Sequence, residues 1–433
     1  MGDAYLAIMA VVALLVVNAY VPVRRDPLSG PSFFAGWLTG ELAFQNIVVV
    51  AAVTVVFAVV GVLRAGAGWP GWAGLVLAAL SAAGLAGLGR SGLRAHQVVA
   101  AALHDATGPP LELPEQLPAP TWGRWWRVTR AVPLAGRALE TVRDLDYDGD
   151  GDRRHRLDVV RARGLAPGAP VMVYIHGGGW TIGDKSQQGK PMLYELAARG
   201  WVCVSINYRL SPKHVWPAHV VDCKKALAWV HEHIAEYGGD PGFVAVSGGS
   251  AGGHLAALVA LTAGDDTWQP GFEGADTSVQ AAVPLYGVYD MTADPASTGR
   301  YGSGLKILLE REVMKQPIAE HRHLFEQASP TYRVHADAPP FFVLHGGNDT
   351  LVPVDSARLF VDALRQVSAA PVAYAELPLA QHAFDVLASF RCQGTTAGAV
   401  AFLDAVRAAA GIGEPDTTPE QVADPAGSDV APA

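Results

Sequence analysis

Hydrophobic positions in the N-terminal part of the chain form long uncharged stretches. Residues 5–23, 43–63 and 72–88 contain no charged side chain. The first two are long enough to cross a hydrocarbon core of ~30 Å at ~1.5 Å rise per residue, and the third is shorter and rich in glycine. This pattern predicts a membrane region over residues 1–95 with about three transmembrane helices. Because Asp3 stands where a signal peptide carries basic residues, we expect the first helix to be retained.

Arginines beside these stretches predict which side of the membrane the rest of the chain occupies. Four of them lie on the side shared by the first connection and the C-terminal part, and one lies on the opposite side: Arg24, Arg25, Arg90 and Arg94 against Arg64. Positive charge is enriched in cytoplasmic connections. The chain is therefore predicted to be a multi-pass membrane protein with its C-terminal domain on the cytoplasmic side.

Two segments flanking the C-terminal domain differ from it in composition. Residues 96–140 are predicted to be a Pro-rich linker that includes a Trp/Arg segment at 121–130. Interleaved tryptophan and arginine are typical of a helix that lies on an anionic membrane surface, and the alternative is that these tryptophans pack against the following domain. Residues 411–433 contain few large apolar side chains and are expected to be a disordered tail.

From residue 141 to 410, short β-branched runs alternate with helix-like ones. The candidate strands are 171–176, 202–208, 243–248, 281–287, 341–346 and 372–377. Helix-like stretches such as 219–238 and 354–367 lie between them. This alternation predicts an α/β domain with a mostly parallel central sheet and helices on both faces. In such domains functional residues gather at the carboxyl ends of the strands.

Charge and cysteine content narrow the classes of function. The net charge is −9 and the chain has no long basic run, so no nucleic-acid partner is expected. The three cysteines, Cys203, Cys223 and Cys392, have no metal-ligand spacing and are predicted to be buried thiols. Residues 146–157 resemble the start of a calcium loop, but Leu157 stands where such a loop needs a bidentate glutamate. No metal is therefore expected.

A glycine-rich stretch directly follows the candidate strand 243–248. Gly248, Ser250 and Gly252 form the pattern G-x-S-x-G at a strand-to-helix junction. A serine hydroxyl is a weak nucleophile near neutral pH, so it must be held where a base can take its proton. A tight turn flanked by glycines does this, which makes Ser250 a candidate nucleophile. The N–H of Ala251, at the start of the helix, is a candidate donor to an oxyanion.

A second glycine run, HGGGW at residues 176–180, follows an apolar run earlier in the chain. Successive glycines leave backbone N–H groups without side-chain cover, as an oxyanion site requires. Gly178 and Gly179 are the candidate donors, and Gly177 is expected to shape the turn. His176 is interpreted as structural, because in this arrangement the catalytic base follows the acid in the chain.

Chain order also selects the acid and the base. In α/β-hydrolases the nucleophile precedes the acid, and the acid precedes the histidine. Asp349 follows the candidate strand 341–346, and His382 is the only histidine after it. His382 is therefore the candidate base and Asp349 the candidate acid that orients its ring. Asp290, which follows the candidate strand 281–287, is the competing candidate for the acid.

Taken together, these motifs resemble those of the hormone-sensitive-lipase-like esterases. The resemblance rests on HGGGW, INYRLSPKHVWPA, GGDPGFVAVSGGSAGGHLAAL, GGNDTLVP and QHAFD, and it covers roughly residues 141–410. It implies an α/β-hydrolase fold and hydrolysis of carboxylic esters without a cofactor. It also implies the triad Ser250, Asp349 and His382 with the oxyanion donors Gly178, Gly179 and Ala251.

A long insertion separates two of the candidate strands. The roughly fifty residues between Gly287 and the strand at 341–346 are too many for a simple connection. They contain a helix-like run with apolar residues at Leu305, Leu308 and Leu309. We expect a helical cap over about 288–335 that covers Ser250, and the alternative is an insertion that only packs on the core.

Three classes of function stay open at this stage. The first is a membrane-anchored serine esterase that acts on small-molecule or lipid esters, with its N-terminal helices in contact with membrane lipid. The second is a serine amidase, peptidase or formamidase of the same fold. The third is a binding module of this fold without turnover, which the presence of a full triad and oxyanion glycines disfavours.

Overall fold

The computed structural model describes residues 2–60, 68–114, 117, 136–299 and 303–411. Four apolar helices come first and are called the helical region here: α1 (Gly2–Tyr20), α2 (Ser29–Glu41), α3 (Ala43–Val59) and α4 (Gly68–Leu93). Helices α1 and α4 run parallel. They approach each other closely, because a Cβ atom at Gly74 would lie only 2.6 Å from the ring of Tyr5. Helix α3 is antiparallel to both, since the start of α1 meets the end of α3 through a 2.9 Å hydrogen bond between Tyr5 and Thr54.

Length and composition make two of these helices candidates for membrane spans. They are α1 and the helix that begins at Gly68, which continues to His104 over 37 residues. Helices α2 and α3 meet at an 86° bend, so that the pair forms a third candidate span. The helices overlap the predicted stretches 5–23, 43–63 and 72–88, although residues 61–63 lie outside the described residues.

The segment after α4 differs from the linker that the sequence predicts over 96–140. It begins with helix α5 (Ala95–His104), whose residue Val99 is fully buried. A Cβ atom at Gly398, on the helix Phe390–Ala409, would lie 1.9 Å from Val99, and Thr107 forms a bridge with Val372 at the edge of the sheet. This part of the predicted linker is therefore part of the core. The Trp/Arg segment at 121–130 lies outside the described residues.

An eight-stranded sheet forms the centre of the remaining domain, which is called the sheet domain here. Its strands are β1 (Leu139–Asp146), β2 (Arg156–Ala162), β3 (Ala169–Ile175), β4 (Val202–Ile206), β5 (Gly239–Gly249), β6 (Ala281–Leu285), β7 (Phe341–Gly346) and β8 (Val372–Leu377). The spatial order is β1-β2-β4-β3-β5-β6-β7-β8. The strands from β4 to β8 in this order are parallel, whereas β1 and β2 form an antiparallel edge. The mostly parallel α/β sheet that the sequence predicts is confirmed.

Helices cover both faces of this sheet. They are α6 (Lys190–Ala198), α7 (Ala218–His233), α8 (Ala251–Ala260), α9 (Pro295–Thr298), α10 (Ser303–Leu308), α11 (Ile318–Gln327), α12 (Val354–Val367) and α13 (Phe390–Ala409). Alternate residues of β3 enter different cores, with Val171 and Val173 on one face and Met172 and Tyr174 on the other. Because both faces are covered, the central strands are continuous apolar runs. The three cysteines are free and buried, as the sequence predicts.

Candidate active site

Ser250 occupies the sharp turn between β5 and α8. Its backbone has φ 60° and ψ −122°, a conformation that is unusual for a residue with a side chain. The turn is held because the Ser250 N–H donates to the carbonyl of Leu285 at 3.0 Å. A Cβ atom at Gly252 would lie 2.0 Å from the carbonyl oxygen of Ile175, so a larger residue there would push α8 away from β3. The glycine therefore allows the close approach that exposes the serine at the end of the strand.

Asp349 and His382 lie together beside the carboxyl ends of β7 and β8. The distance between His382 Nδ1 and Asp349 Oδ2 is 2.6 Å, and both side chains are buried. The other carboxylate oxygen of Asp349 accepts the N–H groups of Leu351 and Val352, each at 2.8 Å. The carboxylate is therefore fixed by its own loop, and the histidine ring is fixed by the carboxylate.

The charge state of Asp349 follows from these contacts. Burial alone would raise its pKa, but the charge of His382 and hydrogen bonds from His345 and His382 outweigh burial and hold the pKa well below its ordinary value. His345 Nε2 lies 3.4 Å from Asp349 Oδ2. Asp349 is thus an anion throughout the neutral range and can stabilise a positive charge on His382.

The competing acid, Asp290, is engaged elsewhere. Its Oδ1 atom accepts both the N–H and the hydroxyl of Thr292, at 2.8 and 2.7 Å. Among the described residues, the carboxylate in contact with His382 is that of Asp349. The geometry therefore favours Asp349 over Asp290 as the residue that orients the ring.

The glycine run after β3 passes directly beside the nucleophile. A Cβ atom at Gly177 would lie 3.1 Å from the Cβ of Ser250. Gly178 has φ 122°, and a Cβ atom there would lie 2.1 Å from the carbonyl oxygen of Ile182. Within the part of the chain that the structure describes, the N–H groups of Gly178, Gly179 and Ala251 have no hydrogen-bond acceptor. They are available to a ligand oxygen.

His176, at the start of this run, is a buried structural residue. Its Nδ1 atom lies 2.8 Å from the carbonyl oxygen of Gly177, and its ring stacks on Tyr208 with centroids 4.5 Å apart. Burial lowers the pKa of His176 to about 4, so the ring is neutral at pH 7. These contacts agree with the structural role inferred from the sequence.

Several residues around His382 carry no sequence motif that would have identified them. The ring of Tyr286 lies 4.5 Å from the histidine ring, and the ring of Phe33 meets it edge-on at 6.0 Å. The Tyr286 hydroxyl donates to the carboxylate of Asp385, which also accepts from Tyr174. Burial raises the pKa of Asp385 in spite of these hydrogen bonds. Phe33 is the unexpected member, because it belongs to the helical region.

The insertion between β6 and β7 approaches the candidate oxyanion glycines. A Cβ atom at Gly179 would lie 3.3 Å from a methyl group of Leu308, at the end of α10. The chain then forms a π-helical turn over Leu309–Val313, whose first and last residues are buried. Gly304, near the start of α10, lies beside the carboxylate of Asp26, in the connection between α1 and α2. This insertion and the helical region therefore meet near the candidate site.

One group of side chains elsewhere has the spacing of metal ligands. Asp148, Asp150 and His155 bring one ligand atom each within 4.8 Å of one another, in the loop between β1 and β2. The Asp148 carboxylate already pairs with Lys225, both of its oxygens lying 2.7 Å from the ammonium group. This acidic loop supplies none of the residues of the candidate active site.

Comparison with known proteins gives consistent matches. A family model described as BD-FAE matches residues 157–364. The probable carboxylic ester hydrolase LipM of Mycobacterium tuberculosis is 44% identical over 417 residues, which cover 93% of each chain. Esterase LipQ of the same organism is 47% identical over 309 residues, which cover 69% of this chain and 72% of LipQ. The LipM match is long enough to include most of the helical region.

Solved structures match the sheet domain. The butyrate-bound thermophilic esterase Est2 of Thermogutta terrifontis has a TM-score of 0.52 and is 24% identical, over 65% of this chain and 97% of Est2. Esterase B of Lactobacillus rhamnosis has a TM-score of 0.54 at 20% identity, over 66% of this chain and 91% of its own. At these identities the likeness shows the fold alone, which is that of an α/β-hydrolase.

Proposed function

Because the chain belongs to the hormone-sensitive-lipase-like carboxylic ester hydrolases, we propose that it is a membrane-anchored serine esterase that cleaves lipophilic esters through an acyl-enzyme. The observation that carries this proposal is the 2.6 Å contact between His382 Nδ1 and Asp349 Oδ2, at the same end of the sheet as the strained turn of Ser250. Nucleophile, base and orienting acid are thus supplied by loops that follow β5, β8 and β7.

The reaction follows from these positions. Ser250 Oγ attacks the ester carbonyl carbon while His382 Nε2 takes the hydroxyl proton, and Asp349 stabilises the resulting imidazolium. The negative charge moves to the carbonyl oxygen, which accepts the free N–H groups of Gly178, Gly179 and Ala251. The carbon–oxygen bond to the alcohol then breaks, and the alcohol leaves with the proton from His382. A water molecule, activated by His382, cleaves the acyl–serine ester and releases the carboxylic acid.

Membrane anchoring is supported by the surface of the helical region. Large apolar side chains on its long helices are exposed, and among them Leu14, Val48, Val55 and Leu80 are each more than half exposed. Exposed apolar area on this scale is stabilised by lipid. Arg24 and Arg90 lie at the ends of α1 and α4 that face the sheet domain, and Arg24 donates to the Gly347 carbonyl. The positive-inside rule therefore favours a cytoplasmic sheet domain.

Lipophilic substrates are supported by exposed apolar residues beside the site. Ile182 follows the oxyanion glycines and is 69% exposed, and Ile307 precedes Leu308 in the cap and is 51% exposed. Leu28, directly before the helical segment that reaches His382, is also exposed. These side chains lie on the segments that border Ser250 and His382, on the side where the helical region joins the sheet domain. An ester dissolved in the bilayer surface would meet them first.

Replacement of the nucleophile tests the catalytic part of the proposal. Ser250→Ala in the full-length enzyme is expected to lower kcat for a short p-nitrophenyl ester by several orders of magnitude, because the triad acts as a unit. The thermal unfolding midpoint should stay near that of the wild type, since the turn keeps its glycines. A fluorophosphonate probe should label the wild type and not the variant. Retention of more than about a tenth of the activity would contradict the assignment of Ser250.

The same full-length enzyme tests two other parts of the proposal, the preference for esters and the membrane anchoring. Comparison of a p-nitrophenyl ester with the matching anilide separates an esterase from an amidase, and we expect the ester to be preferred. Membranes that contain the wild-type enzyme should retain it after washing with alkaline carbonate, which removes peripheral proteins. Release of the intact chain by this wash would contradict membrane anchoring without affecting the assignment of the triad.

A further inference from the structure

Helix α2 lies against the loop that carries His382. The indole N–H of Trp37 donates to the carbonyl oxygen of Ala383 at 2.9 Å, across 346 positions of sequence. Ala383 directly follows the histidine and has φ 59°, a conformation that costs a residue with a Cβ atom about 1 kcal/mol or more. A hydrogen bond from Trp37 therefore holds the backbone at the point where the base loop is strained.

Two further contacts from α2 reach the same loop. The buried ring of Phe33 meets the His382 ring edge-on, and a Cβ atom at Gly36 would lie 3.2 Å from the side-chain nitrogen of Gln381. Residues 33, 36 and 37 are spaced by three and four, so they share one face of the helix. Phe34 points elsewhere and is 59% exposed. One face of α2 therefore packs against residues 381–383.

The loop that carries Asp349 is held by the adjoining part of the helical region. Asn348 donates through its side-chain amide to the carbonyls of Ala19 and Tyr20, at 3.0 and 3.2 Å. Thr350 donates to the carbonyl of Ser29 at 3.2 Å. The residues on both sides of the acid are therefore tied to the end of α1 and the start of α2.

The far end of α2 is fixed by a buried polar cluster. The Glu41 carboxylate pairs with the guanidinium of Arg391 and accepts the hydroxyl of Ser389 at 2.5 Å. All three residues are less than 6% exposed. Because both ends of α2 are attached to the sheet domain, the helix is a rigid support and not a loose connection between spans.

We infer that α2 is a positioning element of the catalytic centre, in which Trp37 and Phe33 hold the His382 loop in its productive conformation. This inference rests on the proposed roles of Ser250, Asp349 and His382. It makes the membrane region a part of the machinery for every ester, including short soluble ones that need no membrane for delivery.

A single substitution that keeps the ring tests this inference. Trp37→Phe in the full-length, detergent-solubilised enzyme removes the N–H donor and retains an aromatic ring on α2. We expect kcat for p-nitrophenyl acetate, per folded molecule, to fall at least about tenfold, because a displacement near 1 Å is costly in a triad. KM and the unfolding midpoint should stay close to wild type. The matched control is Trp69→Phe, since Trp69 lies at the start of α4 and is 74% exposed.

A second pair of variants tests the ring contact. Phe33→Leu is expected to lower kcat in the same way, whereas Phe34→Leu, one position along the same helix, should leave kcat within about twofold of wild type. A merely structural role would lower the folded fraction and leave kcat per folded molecule unchanged. A wild-type kcat in both Trp37→Phe and Phe33→Leu would overturn the inference and leave the proposed function intact. Activity that survives Ser250→Ala would instead overturn the proposed function.

Discussion

At the scale of single residues, the arrangement around Asp349 explains how a buried carboxylate is kept ionised. Two backbone N–H groups of its own loop donate to one oxygen, and the other oxygen faces His382 and His345. Burial of an unpaired carboxylate would be unfavourable, so these donors are needed for the anion to exist at this position. Asp349 can then hold one tautomer of His382, with the proton on Nδ1 and the lone pair on Nε2.

Substitution of this acid separates the two candidates. Asp349→Asn is expected to keep the fold and lower kcat by roughly 10⁴, because the amide no longer holds the histidine tautomer or stabilises its charge. Asp290→Asn is the matched control, since its contacts are with Thr292, and it should leave kcat within about tenfold of wild type. Initial rates with a short p-nitrophenyl ester measure both. A larger loss in Asp290→Asn would show that the acid is on the other loop.

The residues of the site that the sequence predicts are those that belong to local motifs. Ser250 and Gly178 lie in glycine patterns beside a strand, and Asp349 and His382 follow from chain order. Phe33 and Trp37 could not be found in this way, because their contacts are with residues more than 300 positions away. A phenylalanine and a tryptophan between two apolar stretches are typical of any membrane-surface connection, so nothing local distinguishes a residue that touches His382.

At the scale of elements, the end of α10 lies beside Gly179, one of the proposed oxyanion donors. Leu308 lies beside Gly179, whose backbone N–H is free. Ile307, the residue before Leu308, is exposed on the same short helix. The buried turn over Leu309–Val313 fixes the helix from the other side. The backbone N–H of Trp216 donates to the carbonyl of Val313 at 2.9 Å. A change of volume at Leu308 is therefore transmitted to the site and not absorbed by movement of the helix.

A larger side chain at this point should change the preference for acyl length. Leu308→Trp is expected to lower the ratio of kcat/KM for p-nitrophenyl octanoate to that for the acetate by about tenfold, since lost pocket volume penalises the longer chain. Lys306→Trp, at an exposed position of the same helix, is the control, and its ratio should stay within about twofold. An equal change of the ratio in both variants would show that α10 affects the entrance to the site as a whole. An unchanged ratio in both would show that the substrate passes elsewhere.

The strands show why elements of the sheet were predictable to within a few residues. β7 and β8 coincide with the predicted stretches 341–346 and 372–377, because both faces are covered and the apolar run ends where burial ends. α5 was missed for the opposite reason. Its sequence is short and alanine-rich, and only its contacts with α13 and β8 show that it belongs to the core. Tertiary packing, not local pattern, defines it.

At the scale of the whole molecule, the helical region and the sheet domain cannot be treated as an anchor and a separate enzyme. α4 continues into α5 inside the core, and the helical region is attached to the loops that carry Asp349 and His382. The sequence divides the chain at residue 95 because composition changes there. The boundary in the structure is less sharp, since the helix from Gly68 to His104 belongs to both the helical region and the sheet domain. Assembly of the two parts is therefore coupled.

The histidines inside the sheet domain predict how the whole chain responds to acid. Burial lowers the pKa of His176 and His254 to about 4 and that of His219 to about 3. In the unfolded chain each would have a pKa near its ordinary value of about 6.5. Between these values the unfolded state binds more protons than the folded state, so stability falls as pH decreases. The loss amounts to about 1.4 kcal/mol per pH unit for each histidine.

Three groups modify this response without reversing it. Asp222 and Asp150 raise the pKa of the buried His155 in spite of its burial, so its contribution is opposite in sign to that of the other buried histidines. The other two groups are carboxyl groups. The pKa of Asp385 is raised, so its contribution has the opposite sign above its ordinary value. The pKa of Asp349 is lowered, so its stabilising contribution is lost only at a pH below the histidine range. The net expectation is a marked fall in the thermal unfolding midpoint between pH 7 and pH 5, measured in one detergent at constant ionic strength.

Substitution of one buried histidine should reduce this fall. His254 accepts the Trp180 N–H at 3.2 Å and its Nε2 atom lies 2.7 Å from the Ala328 carbonyl, and a glutamine can make both contacts without titrating. In His254→Gln the shift of the midpoint between pH 7 and pH 5 should be clearly smaller than in the wild type, because one ring that takes up a proton on unfolding is absent. His104→Gln is the control, since His104 is exposed at the end of α5 and should keep the wild-type shift. A wild-type shift in His254→Gln would show that acid lability arises outside these buried rings, and an equal reduction in His104→Gln would show that it does not depend on burial.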